Sequence, residues 1–253
     1  LPYHDNLKSF GACFGVSAGY ERPMWFALDG EISEYEYSYN YQNWYPSAEY
    51  ETNNTIKNVG LFDLTPFSKF DIKSNKAHQE LQRICTANIK NEIGKCTYTH
   101  MLNSDGGIEI DLTVVCVDQN HFRIISSAAT RERDKFHIKK YLPKDIELKD
   151  ITDDLCVFGL FGPKSRDLIK TISKDNFDNE NFRFSTAKYI TIEGIKIWAQ
   201  RLSYVGELGY ELYVEFKDAK KIFELIIDKG KDFNLSNCGM HAMDIMRMES
   251  GFL

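Results

Sequence analysis

Two segments of this chain set carboxylates beside glycines. In Gly106-Gly107-Ile108-Glu109-Ile110-Asp111-Leu112-Thr113-Val114, strand alternation puts Glu109 and Asp111 on one face and Ile108, Ile110 and Leu112 on the other. A carboxylate within an otherwise apolar strand is costly to bury unless it is paired or hydrogen-bonded, so both are candidates for handling charge or protons. The solvated face of a half-buried strand explains the pattern equally well. The second segment, Arg201-Leu202-Ser203-Tyr204-Val205-Gly206-Glu207-Leu208-Gly209-Tyr210-Glu211-Leu212, has two glycines three apart, flanked by Tyr and Glu. Such a run suits a backbone bend that presents polar groups beside aromatic surfaces. A flat heterocycle would find a stacking or edge contact in Tyr and an acceptor of paired N–H groups in a carboxylate. A β-bulge with surface charges accounts for it as well.

Other chemistries find little support. There is no GxGxxG or GxxxxGK[ST] loop, so no flavin, nicotinamide or triphosphate motif is present. Neither HExxH nor a GxSxG elbow occurs. The histidines (His4, His78, His100, His121, His137, His241) lie far apart in the chain, and no metal site is expected. Cys13, Cys85, Cys96, Cys116, Cys156 and Cys238 form no CxxC pair; they read as reduced, mostly buried thiols of a cytoplasmic protein. The net charge is −6 with Lys and Arg spread along the chain, which argues against nucleic acid as a partner. No apolar run approaches the ~18–20 residues of a membrane span, and Leu1-Pro2-Tyr3-His4-Asp5 does not open a secretory leader. The chain lacks an initiator Met and reads as a piece of something longer.

The elements that must carry these segments follow from hydrophobic period and turn residues. Val59 to Ile72 predicts strands broken at Thr65-Pro66, and Ser74 to Ile84 a helix with Ser74 as its N-cap. Gly107–Val117 and His121–Ser127 predict two strands joined by Asp118-Gln119-Asn120, followed by a helix over Thr130–Tyr141. A second pass gives a buried strand at Leu155–Phe161, a helix from Ser165 to Ile172, strands over Ile190–Trp198 and, with interruptions, Gln200–Phe216, and helices at Asp218–Lys229 and His241–Glu249. Strand, helix, paired strands and helix, met twice, predict an α+β fold with two related halves, 56–150 and 151–253. Residues 1–55 form a linker-like aromatic segment, in which Tyr35, Tyr37, Tyr39 and Tyr41 alternate with strand period.

Four of these runs, in order, resemble the glycine-cleavage T-protein (aminomethyltransferase) superfamily across nearly the whole chain. They are Val59-Gly60-Leu61-Phe62-Asp63-Leu64-Thr65-Pro66-Phe67; Thr99-His100-Met101-Leu102-Asn103 with the Gly-Gly-Ile-Glu-Ile-Asp segment; Arg201–Glu211; and Ala242-Met243-Asp244-Ile245-Met246-Arg247-Met248-Glu249. Gly15 through Phe26, with Tyr20-Glu21-Arg22-Pro23-Met24-Trp25-Phe26, looks like the linker that precedes the folate-binding C-terminal part of dimethylglycine and sarcosine dehydrogenases.

The resemblance implies a T-protein-like fold whose C-terminal β-barrel is missing from this chain. It implies tetrahydrofolate as cofactor, Asp111 as the catalytic aspartate, and Tyr98, Ser127, Tyr204, Glu211 and Arg247 as folate-site residues. Ser127 stands where the family usually has Asn, and Met243 where it often has Arg; these are the two departures from the family pattern. The implied reaction captures a one-carbon unit from an N-methyl amine, or its iminium, to give 5,10-methylenetetrahydrofolate, with a flavin oxidoreductase domain or subunit as partner. A stand-alone aminomethyltransferase and a non-catalytic folate-binding module remain the alternatives.

Overall fold

Alternation along the strands decides how this chain buries its apolar residues. In a computed structural model, which describes residues 1–17 and 19–252, contacts divide the chain into two units. One comprises Leu1–Thr65, Leu155–Phe184 and Tyr189–Leu253; the other comprises Pro66–Asp154 and Ser185–Lys188.

In chain order, the first unit opens with α1 (His4–Ser9), β1 (Ala12–Ser17), β2 (Tyr20–Phe26), α2 (Tyr45–Lys57) and β3 (Val59–Asp63). The second unit follows with β4 (Ser68–Lys73), α3 (Ala77–Ile84), β5 (Cys96–Leu102), β6 (Ile108–Asp118), β7 (His121–Ser126), α4 (Arg131–Tyr141) and β8 (Leu148–Asp150). The chain then supplies β9 (Leu155–Phe161), α5 (Ser165–Ile172), β10 (Ala187–Ile192), β11 (Ile195–Gln200), β12 (Gly209–Glu215), α6 (Phe216–Gly230), β13 (Leu235–Cys238) and α7 (Met240–Glu249).

The first unit is built on a sheet of order β10-β11-β12-β9-β3-β13, in which β13 runs parallel to β3. Ile197, Ala199, Leu212, Val214, Phe158, Leu160 and Leu61 point from one face into a core shared with Leu168 and Ile169 of α5 and Ile222, Phe223 and Ile226 of α6. The first 55 residues feed this core through Tyr3, Leu7, Ala12 and Phe26, so they pack as part of the unit. The second unit has an antiparallel sheet of order β5-β6-β7-β4-β8. Ile110, Leu112, Val114, Phe122, Ile124, Phe70 and Ile72 form its core face, closed by Leu81 of α3 and Ile138 of α4. Each sheet therefore commits one set of alternate residues to its own core and leaves the other set for different work.

Several boundaries depart from the sequence expectation. The helix expected from Ser74 begins at Ala77; Ser74 instead accepts the Lys76 N–H at 3.1 Å, forming a turn before the helix. Ile190–Trp198 contains two strands, because Glu193 (φ 49°) and Gly194 (φ 78°) both adopt left-handed backbone and close a tight hairpin. Gln200 ends β11, and the next strand starts only at Gly209. Ile108 is 64% exposed at a register shift in the β5–β6 pair and does not join the core face. The alternating tyrosines from Tyr35 form no strand. Asn43 binds the Glu36 N–H at 3.1 Å and donates to the Glu34 carbonyl at 2.8 Å, and this local loop replaces the ladder. Among the described residues, no helix is long and apolar enough to cross a membrane.

One buried carboxyl fastens three elements of the first unit. Glu51 of α2 is 1% exposed and accepts the Phe26 N–H and the Gly239 N–H, each at 2.7 Å, tying β2 to the residue that precedes α7. Burial pushes its pKa up to about 8, while the two N–H bonds pull it down. The proton is thus held more tightly in the folded chain. The stabilisation this gives is complete below about 4.5 and is lost as pH rises through about 8. Its size is on the order of a few kcal/mol. The melting temperature is expected to fall more steeply from about pH 6 to about pH 9 in the wild type than in a Glu51→Gln variant; equal slopes would contradict the assignment.

Candidate functional site

The face of the first unit's sheet opposite its core carries polar groups where β11 and β12 meet. Glu211 lies directly opposite Gln200 on one side and Gly159 of β9 on the other. Residues opposite one another on antiparallel strands share a face, and the alternation that sends Ala199 and Leu212 into the core turns Gln200 and Glu211 away from it. Trp198 and Tyr213, the next opposed pair, share that face. The Tyr213 hydroxyl donates to a Glu211 carboxylate oxygen at 2.8 Å. Glu211 keeps some accessible surface, yet its carboxyl is poorly solvated: burial raises its pKa to about 7, against the lowering effect of the Tyr213 bond. It is thus no ordinary surface charge. Gly159 is required here because a Cβ would lie 2.8 Å from the Phe161 ring and 2.9 Å from Leu64.

The bend before β12 uses only one of the two glycines for its conformation. Gly206 has φ 77°, whereas Gly209 begins the strand. Tyr204 sits in this loop with its ring stacked on Phe252 at a centroid distance of 5.7 Å. Arg201 donates to the Phe182 carbonyl at 2.5 Å. Arg247 lies on α7 and pairs with Asp244 one turn earlier, with Nε 3.2 Å from Oδ1. Met243, on the same helix, is 2% exposed.

On the second unit, β5 and β6 bring Tyr98, His100 and Asp111 together on the face opposite its core. His100 is directly across from Asp111, and Tyr98 is two residues earlier on the same strand. The Tyr98 hydroxyl donates to Asp111 Oδ2 at 2.6 Å and lies 3.4 Å from His100 Nε2, which is itself 3.9 Å from Asp111 Oδ2. The Asp111 side chain is half-exposed, so the strand face is partly solvated and the carboxylate is nevertheless engaged. Glu109 accepts from Asn103 Nδ2 at 3.3 Å, and Arg133 binds its backbone carbonyl at 2.5 Å. Ser127 is exposed, just past the end of β7, where its Oγ accepts the Ala129 N–H at 3.3 Å and caps a short turn. Its hydroxyl is therefore in local use.

Further along the same sheet face, Asp71 is buried with Arg123, which donates to its two oxygens at 2.8 and 3.1 Å, and with His121 Nε2 at 2.8 Å. Burial alone would raise the Asp71 pKa, but the adjacent His121 and the hydrogen-bonded Arg123 outweigh it and hold the value at about 2. Among the described residues, no group of three or more His, Cys, Asp or Glu is arranged to hold a metal ion.

Of the six residues expected at the site, the structure joins Tyr98 to Asp111 directly and engages Ser127, Tyr204, Glu211 and Arg247 each with near neighbours. Three further residues belong beside them: Tyr213, which binds Glu211; His100, which flanks Asp111; and Gln200, fully buried, with neither polar atom of its carboxamide hydrogen-bonded within the chain. Gln200 was readable in principle. Ile195, Ile197 and Ala199 set a period of two that leaves Trp198 and Gln200 on the opposite face.

Comparison with known proteins agrees with this fold. The chain is 34% identical over 252 residues to a 4-methylaminobutanoate oxidase (formaldehyde-forming) of Paenarthrobacter nicotinovorans, a match covering 99% of this chain and 31% of that protein. It is 32% identical to the mitochondrial dimethylglycine dehydrogenase of Rattus norvegicus, covering 94% of this chain and 28% of the dehydrogenase. The chain thus spans about a third of the length of these relatives. The crystal structure of the glycine cleavage system aminomethyltransferase T from Bartonella henselae superposes over 100% of this chain and 63% of its own, with a TM-score of 0.82 at 20% identity. That match shows the T-protein fold. The family model for the GCVT N-terminal domain aligns with residues 3–253, and the chain belongs to that family.

Proposed function

We propose that this chain binds tetrahydrofolate and transfers a one-carbon unit to it from an N-methyl amine such as dimethylglycine or sarcosine, giving 5,10-methylenetetrahydrofolate. Membership of the GCVT N-terminal domain family supports a folate-dependent aminomethyltransferase-type domain. The observation that carries the reading further is Glu211: a carboxyl poised near neutrality, on a sheet face away from the core, with Trp198 and Tyr213 beside it.

Those groups fit a pterin. A carboxylate offers about four acceptor positions; Tyr213 uses one, and the rest suit the paired N–H groups on the amino edge of a flat heterocycle. Trp198 and Tyr213 supply the aromatic surroundings that exclude water and strengthen such bonds. Tyr204 offers a further ring contact, and Arg247 a cation for a folate carboxylate. Bound tetrahydrofolate supplies the two nitrogens that take the carbon as a methylene bridge.

The protons balance without an external acid. An iminium carbon that becomes the bridge displaces two N–H protons, and both leave on the departing amine as an ammonium ion. Asp111 is the group we assign to carry them, and its charge also stabilises the cationic carbon. Tyr98 holds one Asp111 oxygen and so fixes which way the carboxylate faces. Ser127 is assigned the weakest part, since its hydroxyl caps a turn. Making the iminium requires an oxidant. We assign that step to a flavin oxidoreductase domain or subunit, in keeping with the oxidase and dehydrogenase names of the longer relatives.

Calorimetric titration with tetrahydrofolate is expected to show about tenfold or greater weakening in Glu211→Ala. Asp111→Asn is expected to keep binding and lose product formation; unchanged product formation in that variant would refute the catalytic assignment. The Glu211 charge also sets a pH dependence. Acceptance of paired N–H groups needs the ionised form, so affinity should rise as pH increases through about 7 and then level off. A flat profile in the wild type would contradict Glu211 as the acceptor.

A further inference from the structure

The Gln200 carboxamide is the least explained polar group in the first unit. It is 0% exposed, and neither its nitrogen nor its oxygen is hydrogen-bonded within the chain. A buried polar group left in that condition is destabilising, and leucine or methionine would fill the same space without that cost. The register sets Gln200 directly across from Glu211 on adjacent antiparallel strands. The two Cβ atoms of such a pair are about 4.5–5.5 Å apart, so a carboxyl and a carboxamide stand side by side on one face.

Together they form an ordered array. The carboxylate offers two acceptors, and the amide nitrogen next to it offers a donor. A heterocycle edge that complements this array has two N–H donors followed by a carbonyl acceptor, the pattern of a 2-amino-4-oxopyrimidine ring. A carboxylate alone reads only the two donors and is indifferent to what occupies the third position. Discrimination at that position needs a second polar group, and a site built to hydrogen-bond a ligand atom rejects analogues lacking it far more strongly than an apolar wall does.

We infer that Gln200 is a specificity-determining residue of the Glu211 site: its amide nitrogen donates to the 4-oxo group of the pterin whose amino edge Glu211 holds. The inference rests on the tetrahydrofolate reading above and adds to it the position on the ring that is recognised. Trp198 closes the same face beside Gln200 and is 4% exposed. Water is thereby kept from competing for the amide.

The test is titration of the full-length protein, as wild type, Gln200→Leu and Gln200→Met, with tetrahydrofolate and with a 2,4-diaminopteridine, alongside melting temperatures. Both apolar variants are expected to melt at or above the wild-type temperature, because they remove a buried amide without a partner. They should nonetheless bind tetrahydrofolate about tenfold or more weakly. Gln200→Glu, which can only accept, should shift preference from the 4-oxo toward the 4-amino ring. Tetrahydrofolate affinity unchanged in Gln200→Leu and Gln200→Met would overturn the inference while leaving the folate reading intact. Failure of the wild type to bind tetrahydrofolate would overturn both.

Discussion

A carboxyl placed where water solvates it poorly is the constraint around which this face of the first unit is arranged. Glu211 occupies a central strand, and alternation forces it to the face opposite Leu212 and Val214. That face is lined by Trp198, Tyr213 and Phe161 and opposed by Gly159. An ionised carboxylate there loses hydration without gaining a cationic partner, and its pKa moves to about 7. Folding stability is not what such a placement serves, since an apolar side chain would pack there at less cost. The surrounding sequence keeps the position open: Gly159 and Gly209 leave space that any Cβ would fill with steric conflict.

The second unit treats its carboxylates in two contrasting ways. Asp71 is buried, bound by Arg123 and His121, and held at about 2. It is a permanently charged strut between β4 and β7. Asp111 is half-exposed and bound by a neutral phenol, with a histidine a short distance beyond. The same sheet face therefore carries one buried carboxylate held by a cation and one that stands half open to solvent.

Much of this was legible in the sequence. Period-two alternation located β6 and β7 within a residue or two, a continuous apolar run located β9, and the Thr65-Pro66 break between β3 and β4 was read from turn chemistry alone. The family likeness pointed to the two strands, β6 and β12, that carry Asp111 and Glu211. Long-range partners were not legible. Nothing in Tyr213 announces that its hydroxyl reaches back to Glu211, and Gln200 was placed at the start of a strand instead of the end of one, hiding its position opposite the carboxyl. The tyrosines from Tyr35 to Tyr41 show the reverse failure: alternation was present, but a local asparagine took the backbone groups that a strand needs. Buried contacts between distant segments, such as Glu51 with Phe26 and Gly239, are likewise invisible before the chain is folded.

The most direct measurement is a crystal structure of the full-length protein with bound tetrahydrofolate. The expected result places the amino edge of the pterin within hydrogen-bonding distance of the Glu211 carboxyl, about 2.7–3.2 Å. A folate bound elsewhere, with Glu211 in contact only with Tyr213, would contradict the assignment of this face as the pterin site.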